Sequence, residues 1–187
     1  DRIFVPLDMT DTGFYVPVEK HDRFAQVYNS DSKGGLTIGD NTGRADFSKP
    51  RAFLSGGGGL VSTARDYLRF LLAIQNGGRL GETRILSKKS VLLMTTDQLP
   101  DAVPNIYFGA QKRIGVGFGF GFSVRNEMSE WDPQGRVGEY GWGGMASTHY
   151  WVSPKDDLVV ITLEQTLPYS FMTEFATKGL IYDAIID

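Results

Sequence analysis

The chain has 187 residues, with 22 acidic and 19 basic side chains and a formal net charge of −3. This length can enclose one hydrophobic core, and the slightly acidic balance excludes the basic face that a nucleic-acid-binding protein requires. No cysteine occurs and no apolar run approaches about 20 residues, which excludes thiolate catalysis, disulfide bonds and a membrane-spanning helix in this segment.

Residues 1–50 contain few periodic segments and are rich in Asp, Asn, Gly, Pro and Thr, the residues that favour turns. A loop region of this length inside a domain usually has a role such as walling a site. Ser30 and Lys33 match the S-x-x-K pattern, in which a lysine activates a serine one helical turn away. Because this match lies in a turn-rich stretch without helical periodicity, we interpret it as a chance occurrence.

Two helices are predicted in the middle of the chain. Thr63 followed by Asp66 fits a capping box at the start of the first helix, and the two glycines at 77–78 would end it. The apolar stripe of this helix consists of Tyr67, Phe70, Leu71 and Ile74. Ser87 predicts the start of a second, shorter helix that runs to about Met94.

From residue 115 onward the pattern becomes that of β-strands. The segment 115–125, GVGFGFGFSVR, predicts one strand with Phe118, Phe120 and Phe122 on one face. STHYWVSP and DLVVITLEQ predict two further strands, joined by a tight turn at 154–157. A closing helix follows Pro168, with these residues at helical spacing: Phe171, Phe175, Gly179, Tyr182 and Ile186. Sequential strands and a terminal helix indicate an antiparallel meander with a helix on one face.

The ionisable residues form no familiar metal-binding or catalytic pattern. Neither His21 nor His149, the two histidines, lies in a metal-ligand spacing, so we predict no metal and no cofactor. We interpret His149 as a packed or surface residue of a strand and not as a catalytic base. The carboxylates Glu127, Glu130 and Asp132 cluster in a predicted loop, where they are either solvated or form a lip that faces a substrate.

Two glycine-rich runs each precede a predicted element: SGGGGL at 55–60 precedes the first helix, and GEYGWGG at 138–144 precedes the STHYWVSP strand. Backbone N–H groups on a strand edge can stabilise a developing oxyanion or pair with the amide of a substrate. A plain tight turn would also require glycine. The residues alone leave both interpretations open.

The chain resembles the C-terminal half of the serine β-lactamase-like superfamily, which includes class C β-lactamases, D-alanyl-D-alanine carboxypeptidases and family VIII carboxylesterases. The resemblance rests on four segments: IFVPLDMTDTGFYVP, SGGGGLVSTARDYLRFLLAIQNGG, GVGFGFGFSV and GEYGWGGMASTHYWVSPKDDLVVITLEQ. It implies an α/β (α+β) fold of the β-lactamase/transpeptidase type, with an antiparallel sheet flanked by helices and part of a helical region. We expect residues 1–114 to form the loop-rich and helical portion that lines the cleft, and residues 115–187 the strands and the C-terminal helix.

The resemblance also implies acyl transfer through a serine of an S-x-x-K motif, with a tyrosine of a Y-x-N motif as partner base. A third motif, W-G-G, matches Trp142, Gly143 and Gly144, which would bind the substrate. The backbone N–H of Met145 would be a catalytic oxyanion donor. Trp142 stands where β-lactamases carry the lysine of K-T-G, which favours a neutral ester over a substrate recognised by its carboxylate.

The departures from the family pattern shape the functional hypothesis. No Y-x-N and no helical S-x-x-K occurs in the chain, and in the family both precede the IFVPLDM phrase. We therefore expect this chain to be the C-terminal portion of a serine hydrolase that acts on small-molecule esters or β-lactam-like substrates. By itself the chain should be inactive. Its partner would be the missing N-terminal half, which could be a second chain. The alternative is a non-catalytic binding or scaffold module of the same fold. Asp8 and Ser147 stand where the resemblance leads us to expect glycine. The sequence does not indicate in which cellular compartment the protein acts.

Overall fold

The computed structural model describes residues 1–31, 33–39, 46–103, 105–109 and 111–186. Its regular structure consists of three α-helices, twelve short strands and two 3₁₀-helices, Val18–Arg23 and Pro154–Asp156. The helices are α1 (Ala64–Gln75), α2 (Lys88–Thr95) and α3 (Met172–Asp183). The strands are β1 (Tyr28–Ser30), β2 (Leu36–Ile38), β3 (Arg79–Leu80), β4 (Thr83–Arg84), β5 (Ile106–Phe108), β6 (Gln111–Arg113), β7 (Val116–Phe118), β8 (Ser123–Arg125), β9 (Tyr140–Gly144), β10 (Thr148–Ser153), β11 (Leu158–Leu163) and β12 (Thr166–Leu167).

The largest sheet is an antiparallel meander of five strands in the order β11-β10-β9-β8-β7, so each strand lies beside its neighbour in sequence. This confirms the predicted meander, although the sequence indicated fewer strands. A smaller sheet has the order β12-β1-β2, and two hairpins, β3-β4 and β5-β6, complete the β structure of the described residues. The mixed α+β architecture agrees with the predicted fold class.

Helix α1 begins and ends where its local signals predict. The Thr63 side chain accepts a hydrogen bond from the Asp66 amide at 3.2 Å, which caps the first turn. After Gln75 the chain leaves the helix through Gly77 and Gly78, whose φ angles of +65° and +89° favour glycine. Helix α2 is likewise capped at the predicted serine, because Ser87 accepts from the Ser90 amide at 3.0 Å.

The main hydrophobic core lies between α1, α2 and one face of the five-stranded sheet. Its buried members are Leu71, Ile74, Val91, Phe122, Val124, Tyr140 and Val152. Tyr67 and Phe70 of the predicted apolar stripe pack against this cluster from α1. Burial of apolar surface at about 25 cal/mol per Å² therefore holds α1 against the sheet.

The prediction of one strand over residues 115–125 is wrong, because this segment forms the separate strands β7 and β8. Between them, Gly121 has a φ of +95°, a turn conformation that interrupts extended backbone. The three phenylalanines consequently do not share one face. Phe122 is 2% exposed in the core, Phe118 is half-buried and Phe120 is 59% exposed.

Helix α3 covers the opposite face of the sheet with a mixed side that combines aromatic rings with a buried charge. Its buried residues are Lys178 and Tyr182, and Ile186 lies beyond the helix end at 94% exposure. Aromatic contacts support its first turn, where Phe171 stacks on Phe175 with ring centroids 5.6 Å apart. The helix and the inward position of Tyr182 were therefore predicted correctly, whereas the buried Lys178 and the exposed Ile186 were not.

The S-x-x-K match at residues 30–33 is not helical, as the sequence predicted. Ser30 ends strand β1, and its hydroxyl donates a hydrogen bond to the Leu167 carbonyl at 3.1 Å. Lys33 lies in the following turn, and Ser32 lies outside the described residues. None of the helices in the described ranges has both the length and the apolar character to span a membrane.

Candidate active site

Strand β9 carries the W-G-G residues and is paired unequally on its two sides. Along its whole length it pairs with β10, where Trp142 faces Tyr150 and Gly143 faces His149. The ladder to β8 stops earlier, with its last pair between Ser123 and Gly141. No strand of the described residues pairs with the second side of residues 142–144, which we call the open edge. Unpaired backbone groups on such an edge can bind a substrate as an added strand does.

Met145 follows the open edge in the turn between β9 and β10. Its side chain is 71% exposed, and its amide has no acceptor among the residues that the structure describes. Ser147 closes the turn by donating its amide to the Gly144 carbonyl at 3.0 Å. The predicted oxyanion donor is therefore placed at the end of the open edge with its N–H unused.

The glycines of β9 are closely approached by other atoms of the chain, by backbone at Gly141 and by side-chain ends at Gly143 and Gly144. A Cβ atom at Gly143 would collide with the hydroxyl of Tyr169, and one at Gly144 would collide with the Thr148 hydroxyl. At Gly141 the obstacle is the Tyr150 carbonyl on the neighbouring strand. Close approach of the protein's own atoms therefore explains these glycines without reference to a ligand.

Asp8 and Ser147, where the resemblance leads us to expect glycine, both have left-handed backbone. Their φ angles are +51° and +61°. The Ser147 hydroxyl offsets part of this strain, because it donates to the Thr166 carbonyl at 2.9 Å and accepts from the Ser170 amide at 3.1 Å. The turn that carries Met145 is thus tied to the segment that carries Tyr169.

Trp142 is half-buried in an aromatic group beside the open edge. Its ring meets Phe118 edge-on with centroids 5.0 Å apart and lies 6.5 Å from the Phe108 ring. The guanidinium of Arg113 lies 5.7 Å from its centroid. Trp142 therefore provides an apolar wall, and a cation lies directly behind that wall.

Arg113 occupies a box of aromatic rings, and the sequence interpretation gave it no role. Its guanidinium lies 4.6 Å from the centroid of Phe171, 4.9 Å from that of Phe108 and 5.0 Å from that of Trp131. The residue is 5% exposed, and burial lowers the pKa of Arg113 from its ordinary value. A lone arginine at the end of a short strand carries no local signal, so only the fold reveals this arrangement.

Beneath the strand lies a buried network of ion pairs. Asp132 lies 2.5 Å from the Arg125 guanidinium and 2.8 Å from the Lys178 ammonium, and Lys178 also lies 3.2 Å from Glu139. The hydroxyl of Tyr182 donates to the second oxygen of Glu139. These contacts fix α3 and the loop after β8 to the back of β9.

Both sequence interpretations of the acidic loop are therefore wrong for Asp132, which is neither solvated nor part of a lip. It is 1% exposed, because its negative charge is matched by two buried cations. Glu127 and Glu130 of the same segment are exposed, as a solvated loop predicts. The sequence signal that could have found the pair is the arginine at 125, seven positions before Asp132.

His149 lies between two carboxylates and packs in the interior, which confirms that it is a packed residue. Nδ1 is 3.5 Å from a Glu164 oxygen and Nε2 is 3.7 Å from a Glu174 oxygen, while the ring is 5.2 Å from that of Tyr169. Burial raises the pKa of Glu174, an effect that Lys178 and His149 oppose. Burial also raises the pKa of Tyr169 to about 12, so its hydroxyl stays protonated at neutral pH and can donate a hydrogen bond.

A pocket connects these groups. Its lining includes Trp142 and Gly143 of the open edge, Arg113, Tyr169 and Glu174. Within the described ranges, no three His, Asp or Glu side chains are arranged to hold a metal ion. Two of the three predicted substrate-binding residues, Trp142 and Gly143, thus share a pocket with a buried cation and a phenol hydroxyl, whereas Gly144 is not part of its lining.

Comparison with known proteins gives a consistent match over nearly the whole chain. A family model described as Beta-lactamase matches residues 1–178. Protein Rv1367c of Mycobacterium tuberculosis is 37% identical over 172 residues, which are 90% of this chain and 42% of that protein. The chain therefore spans less than half the length of this relative.

Solved structures share the fold at low sequence identity. EstCE1, titled a hydrolase with promiscuous acyltransferase activity, has a TM-score of 0.76 at 22% identity, covering 96% of this chain and 48% of that one. The LovD9 mutant of simvastatin synthase from Aspergillus terreus has a TM-score of 0.73 at 21% identity, with coverages of 97% and 48%. A penicillin-binding protein from Bacillus halodurans has a TM-score of 0.62 at 16% identity, covering 96% of this chain and 47% of that one.

Proposed function

Because this chain belongs to the Beta-lactamase family, we propose that it is the C-terminal portion of a serine hydrolase that forms an acyl-enzyme with esters or β-lactam-like substrates. The observation that carries the proposal is the open edge of β9, which ends in the unused amide of Met145. In this proposal the serine, its lysine and the partner tyrosine come from the part of the protein that this chain does not cover.

The chemistry assigned to β9 is electrostatic. Attack of a serine hydroxyl on an ester carbonyl places negative charge on the carbonyl oxygen, and a fixed backbone N–H stabilises that charge without reorganisation. The Met145 amide would supply one such donor, worth about 3 kcal/mol of barrier. The open edge would hold the substrate chain, and Trp142 would form the wall of the acyl pocket.

Transfer of the acyl group to an alcohol instead of water belongs to the same proposal, since both acceptors attack the same acyl-enzyme. The titles of two structural neighbours name acyltransferase or synthase activity, which makes an alcohol acceptor worth including in the assay. The alternative proposal is a non-catalytic module that uses the pocket only to bind.

The test uses the full-length protein that contains this chain. We expect a fluorophosphonate probe to add one adduct, visible in the intact mass, and we expect hydrolysis of p-nitrophenyl butyrate that the probe abolishes. Heat-denatured protein serves as the control for unspecific labelling. Absence of both the adduct and turnover would refute the hydrolase and favour the binding module.

A further inference from the structure

Arg113 is a buried cation for which the proposed chemistry has no use. Its Nε has no hydrogen-bond partner, and no ion pair joins its guanidinium to a carboxylate within the described part of the chain. The surrounding ring faces attract the positive charge, but they do not accept the N–H bonds that lie in the guanidinium plane. The Tyr169 hydroxyl can accept one bond from the guanidinium, but it carries no negative charge and leaves Nε unsatisfied. A buried cation with an unsatisfied donor and no anionic partner is costly, unless a ligand provides the acceptor.

The nearest acidic influence on Arg113 comes from Glu174, which is already engaged. Its two oxygens lie 3.7 Å from the Lys178 ammonium and 3.7 Å from Nε2 of His149. Asp132 and Glu139, the other carboxylates that line the pocket, pair with Arg125 and Lys178. The guanidinium of Arg113 therefore keeps donors available toward the pocket lined by Trp142 and Gly143.

The pocket offers a second donor close to the first. The Tyr169 hydroxyl lies over the Cα of Gly143 and within hydrogen-bonding range of the Arg113 guanidinium, so its oxygen can accept from Arg113 while its O–H donates to a ligand. A planar guanidinium and a phenol hydroxyl together match the two oxygens of a carboxylate. The neighbouring Glu174 disfavours a dianion such as phosphate, and the aromatic walls favour a hydrocarbon body on the ligand.

From this arrangement we infer that Arg113 binds a carboxylate carried by the acyl group of the substrate, so that the preferred substrates are esters whose acyl chain ends in a carboxylate. This inference rests on the proposed function for its substrate role. Trp142 alone favours a neutral acyl group, whereas the cation behind its ring adds selectivity for a single negative charge at the end of that group.

The first test is binding, which does not require turnover. Isothermal titration of the full-length protein compares benzoate with benzamide, its neutral analogue of the same shape. We expect benzoate to bind more tightly than benzamide, and Arg113→Gln to weaken benzoate about ten- to hundredfold. Lys112→Gln is the matched control, because Lys112 is an exposed cation on the same strand and its removal should leave benzoate binding unchanged.

The second test is selectivity between esters. We expect Arg113→Gln to raise the KM for mono-p-nitrophenyl glutarate by about tenfold or more, while the KM for p-nitrophenyl butyrate changes little. Arg113→Lys keeps the positive charge but lacks the planar guanidinium, so its KM for mono-p-nitrophenyl glutarate should lie between those of the wild type and Arg113→Gln. Thermal melting of each variant shows whether it is folded. If Arg113→Gln does not fold, the comparison is made between the wild type and Arg113→Lys.

The outcomes separate the two proposals. If Arg113→Gln weakens the binding of charged and neutral ligands equally, or weakens neither, the carboxylate site is overturned and Arg113 is a packing residue. Benzoate binding that depends on Arg113 in a protein without esterase activity would support the anion site and refute the hydrolase. Ester hydrolysis without any preference for the charged acyl chain would support the hydrolase and refute the anion site.

Discussion

Gly143 lies directly under the hydroxyl of Tyr169, so that a single added carbon on the strand would meet the phenol oxygen. This relationship joins the strand that carries the W-G-G residues to the segment that precedes α3. It also explains in physical terms why position 143 accepts no side chain. The strand and the aromatic group behind it form one packed unit, and substitutions on either side are expected to be coupled.

The coupling can be measured with a double-mutant cycle. Gly143→Ala should destabilise the protein by about 1–3 kcal/mol, because the new methyl group overlaps the Tyr169 oxygen. Tyr169→Phe removes that oxygen, so the double variant should recover part of the loss in urea unfolding. Additive effects of the two substitutions would contradict the contact.

The role of the Met145 amide is testable by removing its hydrogen. Met145→Pro should lower kcat of the full-length hydrolase by about 10²–10³-fold, since proline has no backbone N–H to stabilise the oxyanion. Met145→Ala keeps the amide and should change kcat only slightly, because the side chain is exposed. Similar activities of the two folded variants would remove Met145 from the oxyanion hole.

The buried ion network predicts a large cost for deleting one charge. Lys178→Met should destabilise the protein by about 3–5 kcal/mol, because Asp132 and Glu139 would each lose one of the two buried cations that they contact. Lys155→Met removes an exposed lysine from a turn and should change stability by less than about 0.5 kcal/mol. Urea unfolding measures both, and equal effects would show that the network contributes no more than a surface charge.

Asp8 and Ser147, two of the non-glycine residues with left-handed backbone, predict opposite outcomes when each is replaced by glycine. Asp8→Gly should stabilise the protein by about 0.5–1 kcal/mol, because it relieves a positive φ at an exposed site. Ser147→Gly should destabilise it, because the hydroxyl that bridges Thr166 and Ser170 is lost. Ser147→Ala should be worse than Ser147→Gly, since it loses the same bonds and keeps the strain. Thermal melting ranks these variants, and a more stable Ser147→Ala would refute the argument.

The sequence by itself determined the elements whose signals are local. Thr63 and the glycines at 77–78 define the ends of α1 because capping depends on a few neighbouring residues. Alternation of side chains predicted β10 and β11, and the combination of motifs indicated the family and the fold class. The W-G-G residues were also located by sequence alone, although their roles remain predictions.

Only the tertiary structure decided which charges are buried and which backbone edge is open. Asp132 and Lys178 are 46 positions apart and meet because α3 folds back over the sheet, a relation that no local pattern encodes. Arg113 became a candidate ligand-binding residue only when strands β5, β9 and the start of α3 brought aromatic rings around it. The open edge at 142–144 arises because β8 ends its ladder at Gly141. Burial and strand pairing are long-range properties, and their energies depend on partners that the fold alone brings together.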